Sequence, residues 1–241
     1  LDTTSHLIMS RREEIVEESE CTEDSSINGR YHRFNVKLGK GAFKEVFKAF
    51  DTHEQIDCAW NSIDLSLINT EDEKKKIFKE CEMLRRLNHP NILKITNQWF
   101  NEKTDKLCFI TNIVHDGSLA KFFRKRQVNL LRVKQICKQI LNALLYLHQM
   151  GVIHRDLKCD NVFIEGNTGK VVLGDLGLSC NVISARSIVG TPHWMAPELY
   201  KEDYNEMVDI WSFGMCVLEL ITSEIPYQEC RGAFQVYQNI S

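Results

Sequence analysis

The sequence predicts an α+β fold, with a β-rich first part and a larger, mainly helical second part. Two observations carry this. Short strand-like runs at 34–38, 43–50, 56–63, 92–100 and 107–113 crowd the stretch after Tyr31, with one amphipathic segment among them. Beyond His115 the apolar residues recur at helical spacing instead, as in the stripe Ile136, Ile140, Leu144 and Leu147.

Residues 1–29 are polar and acidic, with Glu13, Glu14, Glu17, Glu18, Glu20, Glu23 and Asp24 close together, and read as a flexible extension. The folded domain is expected over 30–241, with a small antiparallel β-sheet lobe and connector over 30–114 and a helical lobe over 115–241. Asp51, Thr52 and His53 interrupt two runs as a hairpin turn would. The amphipathic segment covers about 71–87, where Ile77, Cys81 and Leu84 repeat at helical spacing and Glu80 falls on their side. A buried carboxylate there needs a charge partner, whereas one that skirts the stripe stays wet. Gly151 closes the long helix, and a second apolar helix spans about 208–221.

With 241 residues, 43% hydrophobic and 26% charged, the chain can bury one large or two small cores. A net charge of −3 asks for neither nucleic acid nor an acidic membrane. The nine cysteines are scattered singly, without zinc or disulfide spacing, which fits reduced thiols in a cytoplasmic protein. No signal peptide is recognised and no apolar run is long enough for a bilayer, so membrane insertion is not expected.

The chemistry concentrates in four motifs. Gly39-Lys40-Gly41-Ala42-Phe43 joins two strands, where glycines let backbone N–H groups approach phosphates; alone, it fits a plain hairpin equally well. His154-Arg155-Asp156-Leu157-Lys158-Cys159-Asp160-Asn161 supplies a carboxylate, a lysine and an amide just after a helix. Phosphoryl transfer to a hydroxyl needs a base, a cation for the migrating group and an oxygen ligand for Mg²⁺, and Asp156, Lys158 and Asn161 match these in order. Asp175-Leu176-Gly177 follows an apolar strand and offers a second hard oxygen ligand. Ala196-Pro197-Glu198 follows Gly190-Thr191-Pro192.

In this order the motifs resemble the signature set of protein kinases, from about Tyr31 to the end of the chain. The resemblance implies the bilobal kinase fold, with one helix in the small lobe and Glu80 as its conserved glutamate. It makes Thr111 the gatekeeper, Asn112 to Val114 the hinge that meets adenine, and Val46 and Ala59 the residues that cover the base. His154 and Arg155 introduce the catalytic Asp156, Asp209 braces that loop, and Glu198 awaits an arginine that a complete kinase domain would supply further on. On that resemblance the domain is C-terminally incomplete, and this piece is expected to be less stable than a full one.

Two positions depart from the kinase pattern. Lys44 stands where the third glycine belongs, and Asn61 stands where the strand Cys58-Ala59-Trp60-Asn61 should carry lysine. Either the phosphate grip is lost and the chain is a kinase-like scaffold, or Lys44 supplies the missing cation. Strand alternation puts Lys44 on the face of Val46, and Asn61 on the face of Ala59. Those side chains converge, which favours the second reading and leaves Asn61 free to tolerate change.

This pairing resembles the With-No-Lysine (WNK) serine/threonine kinases, and Asn61 resembles their plant or protist members. Agreement extends to His89-Pro90-Asn91-Ile92, Asp175-Leu176-Gly177-Leu178 and Phe213-Gly214-Met215-Cys216. The resemblance implies ATP and Mg²⁺ as cofactors. Gly39, Lys40, Gly41 and Lys44 would lie at the phosphates, and Asn161 and Asp175 at the metal. It also implies protein substrates with a Ser or Thr acceptor, downstream kinases among them, and activation-loop phosphorylation at Ser187, with Ser184 a second candidate. A chloride pocket is implied at Ile95, Phe109, Leu176, Gly177 and Leu178.

Overall fold

The structure, a computed structural model, describes residues 22–26, 28–41, 44–66, 68, 70–123, 129–176, 190–201 and 204–240. The chain forms two compact units. One runs to Thr70 and resumes over Ile95–Ile113; the other takes Glu71–Lys94 and continues from Val114.

The first unit is a six-stranded antiparallel sheet. Its strands are β1 (Thr22–Ser25), β2 (Tyr31–Lys40), β3 (Lys44–Asp51), β4 (Ile56–Asp64), β5 (Ile95–Asn101) and β6 (Lys106–Asn112), in the order β1-β2-β3-β4-β6-β5. β4 is central and is buried on both faces from Cys58 to Ile63. Residues directly opposite in an antiparallel ladder share a face. One face therefore gathers Ala49, Cys58, Trp60, Cys108 and Ile110, which pack with Tyr31 and Trp99 as an apolar core. Trp60 meets Trp99 edge-on at 4.7 Å between ring centroids, and Tyr31 stacks on Trp99 at 6.1 Å. Arg30 grips Asp51 through two bonds of 2.8 and 2.7 Å, tying the start of β2 to the end of β3.

Residues 22–25, expected within a plain extension, form an edge strand with Asp24 opposite Arg33 and Ser25 opposite His32. A strand held by backbone bonds at a sheet edge needs no apolar residues, so polarity alone could not reveal it.

The second unit begins with α1 (Glu71–Arg85), whose first turn is acidic and whose last turn carries Arg85, as the helix dipole favours. Ile77, Cys81 and Leu84 are buried, as their spacing predicts. After α1 the chain lies against the hairpin of β7 (Val162–Glu165) and β8 (Lys170–Leu173): Leu93 N–H donates to Leu173 O, and Leu173 N–H to Asn91 O, both at 2.8 Å. Four more helices among the described residues follow Val114: α2 (Leu119–Phe123), α3 (Leu130–Gln149) and, beyond the hairpin, α4 (Met207–Thr222) and α5 (Ala233–Ile240).

α3 starts at Asn129, whose side chain accepts from Leu131 N–H at 2.8 Å, and ends before Gly151 at φ +72°. Its buried stripe is Val133, Ile136, Ile140, Ala143, Leu144 and Leu147. Gln139 on the same helix acts as a knot. Its Oε1 accepts from Asn91 Nδ2 and Val171 N–H, and its Nε2 donates to Gly169 O. One side chain thereby fixes α3, β8 and the segment leaving α1.

Candidate active site

In the helical unit, Asp209 is fully buried in the first turn of α4. Its Oδ2 accepts from His154 N–H and from His148 Nε2, both at 2.8 Å, and its Oδ1 accepts from Arg155 N–H at 2.9 Å. Burial pushes the Asp209 carboxyl up. The His148 bond and the two backbone N–H groups outweigh it and hold the group below the usual carboxylate range. This brace holds Arg155 in the left-handed region at φ +66°, with its guanidinium over the Tyr204 ring at 5.4 Å. His154 accepts from Asp156 N–H at Nδ1 and so donates from Nε2 to Gly174 O, at 2.9 Å. That bond ties the loop to the backbone entering Asp175, itself left-handed at φ +60°.

Asp156 is 6% exposed and held by three side chains. Lys158 Nζ lies 3.0 Å from Oδ2, Asn161 Nδ2 donates to Oδ2 at 2.9 Å, and Thr191 Oγ1 donates to Oδ1 at 3.0 Å. Lys158 also donates to Thr191 Oγ1. The Asn161 amide nitrogen is committed to Asp156, at its carbonyl as well as its carboxylate, so the oxygen that remains is a hard ligand for a cation. No group of three or more His, Cys, Asp or Glu among the described residues could hold a metal by itself.

In the sheet unit, β3 and β4 pair Lys44 with Ile63, Val46 with Asn61 and Lys48 with Ala59. β4 and β6 pair Ala59 with Thr111 and Asn61 with Phe109. Lys44, Val46, Ala59, Asn61, Phe109 and Thr111 therefore share the face opposite the tryptophans. Gly39 stands opposite Val46, at the end of β2 that Lys40 closes. A Cβ built on Gly39 meets nothing closer than 4.0 Å, and one on Gly41 nothing closer than 3.6 Å. Neither glycine has a left-handed φ. The fold itself does not demand glycine here, and the bare backbone leaves room for close approach from outside.

Asn61 corrects one expectation. It is 5% exposed, and its Nδ2 donates to Ala59 O and Thr111 Oγ1 at 3.2 Å each and reaches Phe109 O at 3.5 Å. A buried amide with these partners is not a position that tolerates change. Three side chains escaped the sequence reading. Thr191 lay in a noted Gly-Thr-Pro string without a role; His148 had only its place in the last turn of a helix; Gln139 gave no signal at all, because its partners are distant in the chain.

Other expected residues are placed less fully. Asn112 ends β6, and the second unit resumes at Val114. Glu80 lies on α1, but its side chain is outside the described residues. Glu198 sits in a 3₁₀ turn over Pro197–Lys201. Ile95 and Phe109 are buried in the first unit and Leu176 in the second. Gly177, Leu178, Ser184 and Ser187 lie outside the described residues.

Residues 32–241 match the protein kinase domain family, and the chain belongs to it. That family uses ATP and Mg²⁺. The chain is 45% identical to the serine/threonine-protein kinase WNK8 of Arabidopsis thaliana over 232 residues, 94% of this chain and 41% of that protein. It is 46% identical to the probable serine/threonine-protein kinase WNK10 of the same plant over 219 residues, 88% and 42% of the two chains. Both relatives are serine/threonine kinases of WNK type. The chain spans about two fifths of the length of these curated relatives. Among solved structures, the crystal structure of Rad53 1-466 in complex with AMP-PNP superposes with a TM-score of 0.76 at 28% identity, covering 89% of this chain and 54% of that one. The fold is thus the α+β kinase fold that the sequence predicts.

Proposed function

We propose that this chain is the catalytic domain of a serine/threonine protein kinase, with Lys44 serving as its phosphate-contacting lysine. ATP with Mg²⁺ supplies the phosphoryl group. Gly39, Lys40, Gly41 and Lys44 hold the phosphates, and Val46, Ala59, Thr111, Asn112 and Val114 take the base. Asn161 and Asp175 hold Mg²⁺. Asp156 orients the acceptor hydroxyl and takes its proton, while Lys158 neutralises charge that builds on the migrating group. Glu80 is the natural partner for a cation at the phosphates. The division into a small lobe and hinge over 30–114 and a helical lobe over 115–241 belongs to the same reading.

The observation that carries it is the Asp156 carboxylate, buried yet gripped by Lys158, Thr191 and Asn161, a constellation a scaffold does not need. Phosphorylation at Ser187 or Ser184 would add charge for Arg155 to pair with. Chloride as an inhibitory ligand at Ile95, Phe109, Leu176, Gly177 and Leu178 belongs to the same proposal, and what supports it is the apolar burial of Ile95, Phe109 and Leu176. Cytoplasmic protein substrates, downstream kinases among them, complete the proposal; the free thiols among the described cysteines suit that compartment.

The test uses the full-length protein, radiolabelled ATP and a generic basic protein. Wild type labels the substrate. Asp156→Ala and Lys44→Met each lose on the order of 10²–10⁴-fold in turnover. Undiminished labelling by Asp156→Ala refutes the catalytic reading, and undiminished labelling by Lys44→Met refutes the lysine assignment alone.

A further inference from the structure

We infer that Glu219 is a positioning residue for phosphoryl transfer: through Trp194 it holds the turn that carries Thr191 against the Asp156 carboxylate. The inference rests on the catalytic reading of Asp156 above and adds the side chains that set its geometry from a distance. Every residue it uses lies in the helical unit.

Thr191 Oγ1 donates to Asp156 Oδ1 at 3.0 Å and accepts from Lys158 Nζ, so its place governs where both charged groups point. Thr191 itself only caps one 3₁₀ turn, Pro192–Trp194. The turn's own bonds run from Trp194 N–H to Thr191 O at 2.9 Å and from Met195 N–H to Pro192 O at 3.3 Å. Such short-range bonds close a turn without fixing it in space. What fixes it is α4. Ser212 Oγ donates to Trp194 O at 2.8 Å, and Trp194 Nε1 donates to Glu219 Oε2 at 3.1 Å. Ser212 and Glu219 are two helical turns apart on one face of α4, and Asp209, which braces His154 and Arg155, lies one turn before Ser212 on that face. One helix face therefore sets the spacing between the catalytic loop and the turn that bears Thr191.

Glu219 is half-buried. Burial pushes its carboxyl up, bonds from Cys159 and Trp194 draw it part of the way back, and the charge of Asp160 adds to the rise. A carboxylate kept where its charged form is disfavoured needs its donors, and the indole N–H is one of them. The fit leaves little slack. Trp194 is 5% exposed, and a Cβ on Gly190, next to Thr191, would come 2.9 Å from Met195 Cγ and 3.2 Å from Arg155 O. A turn released from Glu219 cannot settle elsewhere without moving the Thr191 hydroxyl on Asp156. A misplacement of about 1 Å caused from outside the reacting groups can cost about a hundred-fold in rate.

The experiment measures kcat and KM for ATP with the full-length protein and a generic basic protein as acceptor, and ADP binding by calorimetry. Glu219→Leu and Trp194→Phe should each lower kcat by about ten- to a hundred-fold, and leave KM for ATP and the ADP affinity within about two-fold. Turnover is expressed per ADP-binding site, so a variant that merely unfolds in part loses sites and keeps its kcat. A double-mutant cycle with Thr191→Val then tests the route. Because Glu219 acts through Thr191, Glu219→Leu should cost less than about two-fold more once Thr191→Val is present. Costs that multiply in the cycle, an unchanged kcat in Glu219→Leu or in Thr191→Val, or a loss confined to KM for ATP each overturn the inference. Should Glu219→Leu not fold, Trp194→Phe, which removes the indole donor and keeps an aromatic ring, takes its place in the same cycle with the same readings. Undiminished turnover by Asp156→Ala overturns the catalytic reading itself, whereas an inactive Asp156→Ala together with multiplying costs overturns only this extension.

Discussion

Asp209 shows how one side chain can hold a loop in a conformation its sequence would not choose. Three donors converge on a carboxylate with no solvent contact, and they come from the loop backbone and from α3. Its carboxyl is held below the ordinary value of 3.8, so the folded state binds this proton less readily than the unfolded chain does. The stabilisation is therefore complete above that value and is lost as pH falls below it, through the lowered folded value. Asp209→Ala should destabilise the protein by about 3–5 kcal/mol near neutral pH, because the donors are left buried and unmet. In thermal melts across pH, the gap between wild type and variant should close below pH 3.8. A gap that stays constant with pH would show that the loss is one of packing and not of charge. Asp156, Lys158, Asn161 and Asp175 could be picked out from residue type and order. Thr191 and His148 could not, since each acquires meaning only from a partner 35 or 61 positions away.

Among the elements, α3 is the clearest case of local sequence specifying structure. Its apolar stripe, its Asn129 cap and the left-handed Gly151 all agree. Asn129→Ala removes the acceptor for Leu131 N–H and should cost about 1 kcal/mol. For a chain of this size that lowers Tm by about 2–4 °C, and Asn129→Asp should restore it. An Asn129→Ala protein that melts with wild type would mean the helix start is held by packing instead. Five of the six strands of the sheet, β2 to β6, were legible to within a few residues at their ends. β1 was not, because its side chains carry no apolar signal and it joins the sheet by backbone pairing with β2. Register was legible where alternation speaks: Lys44 and Val46 share a face. The bonds of Asn61 were hidden, because strand pairing alone brings Phe109 and Thr111 beside it.

At the scale of the whole molecule, the helical unit keeps an apolar groove between α3 and α4. Its volume is about 510 Å³, and Leu130, Val133, Cys137, Leu141, Val217 and Ile221 are among the residues that line it. Leu130 is 63% exposed and Ile221 62%. An apolar surface of this kind takes up hydrophobic dyes. The 241-residue chain should bind 1-anilinonaphthalene-8-sulfonate in its folded state. Leu141→Glu with Ile221→Glu should abolish most of that fluorescence while leaving Tm nearly unchanged. Equal fluorescence in the double variant would place the dye elsewhere.

The sequence by itself determined the α+β class, the order of the elements and the residue types that phosphoryl transfer requires, because hydrophobic period and side-chain chemistry are local properties. It also determined that Lys44 and Val46 point one way, since strand alternation is local too. Only the tertiary structure decided that Asn61 is locked to Thr111, that Thr191 completes the grip on Asp156, and that Gln139 knots α3 to β8 and to the segment leaving α1. Those are hydrogen bonds between groups far apart in the chain, and nothing in a residue's neighbours in sequence says which distant donor will meet it.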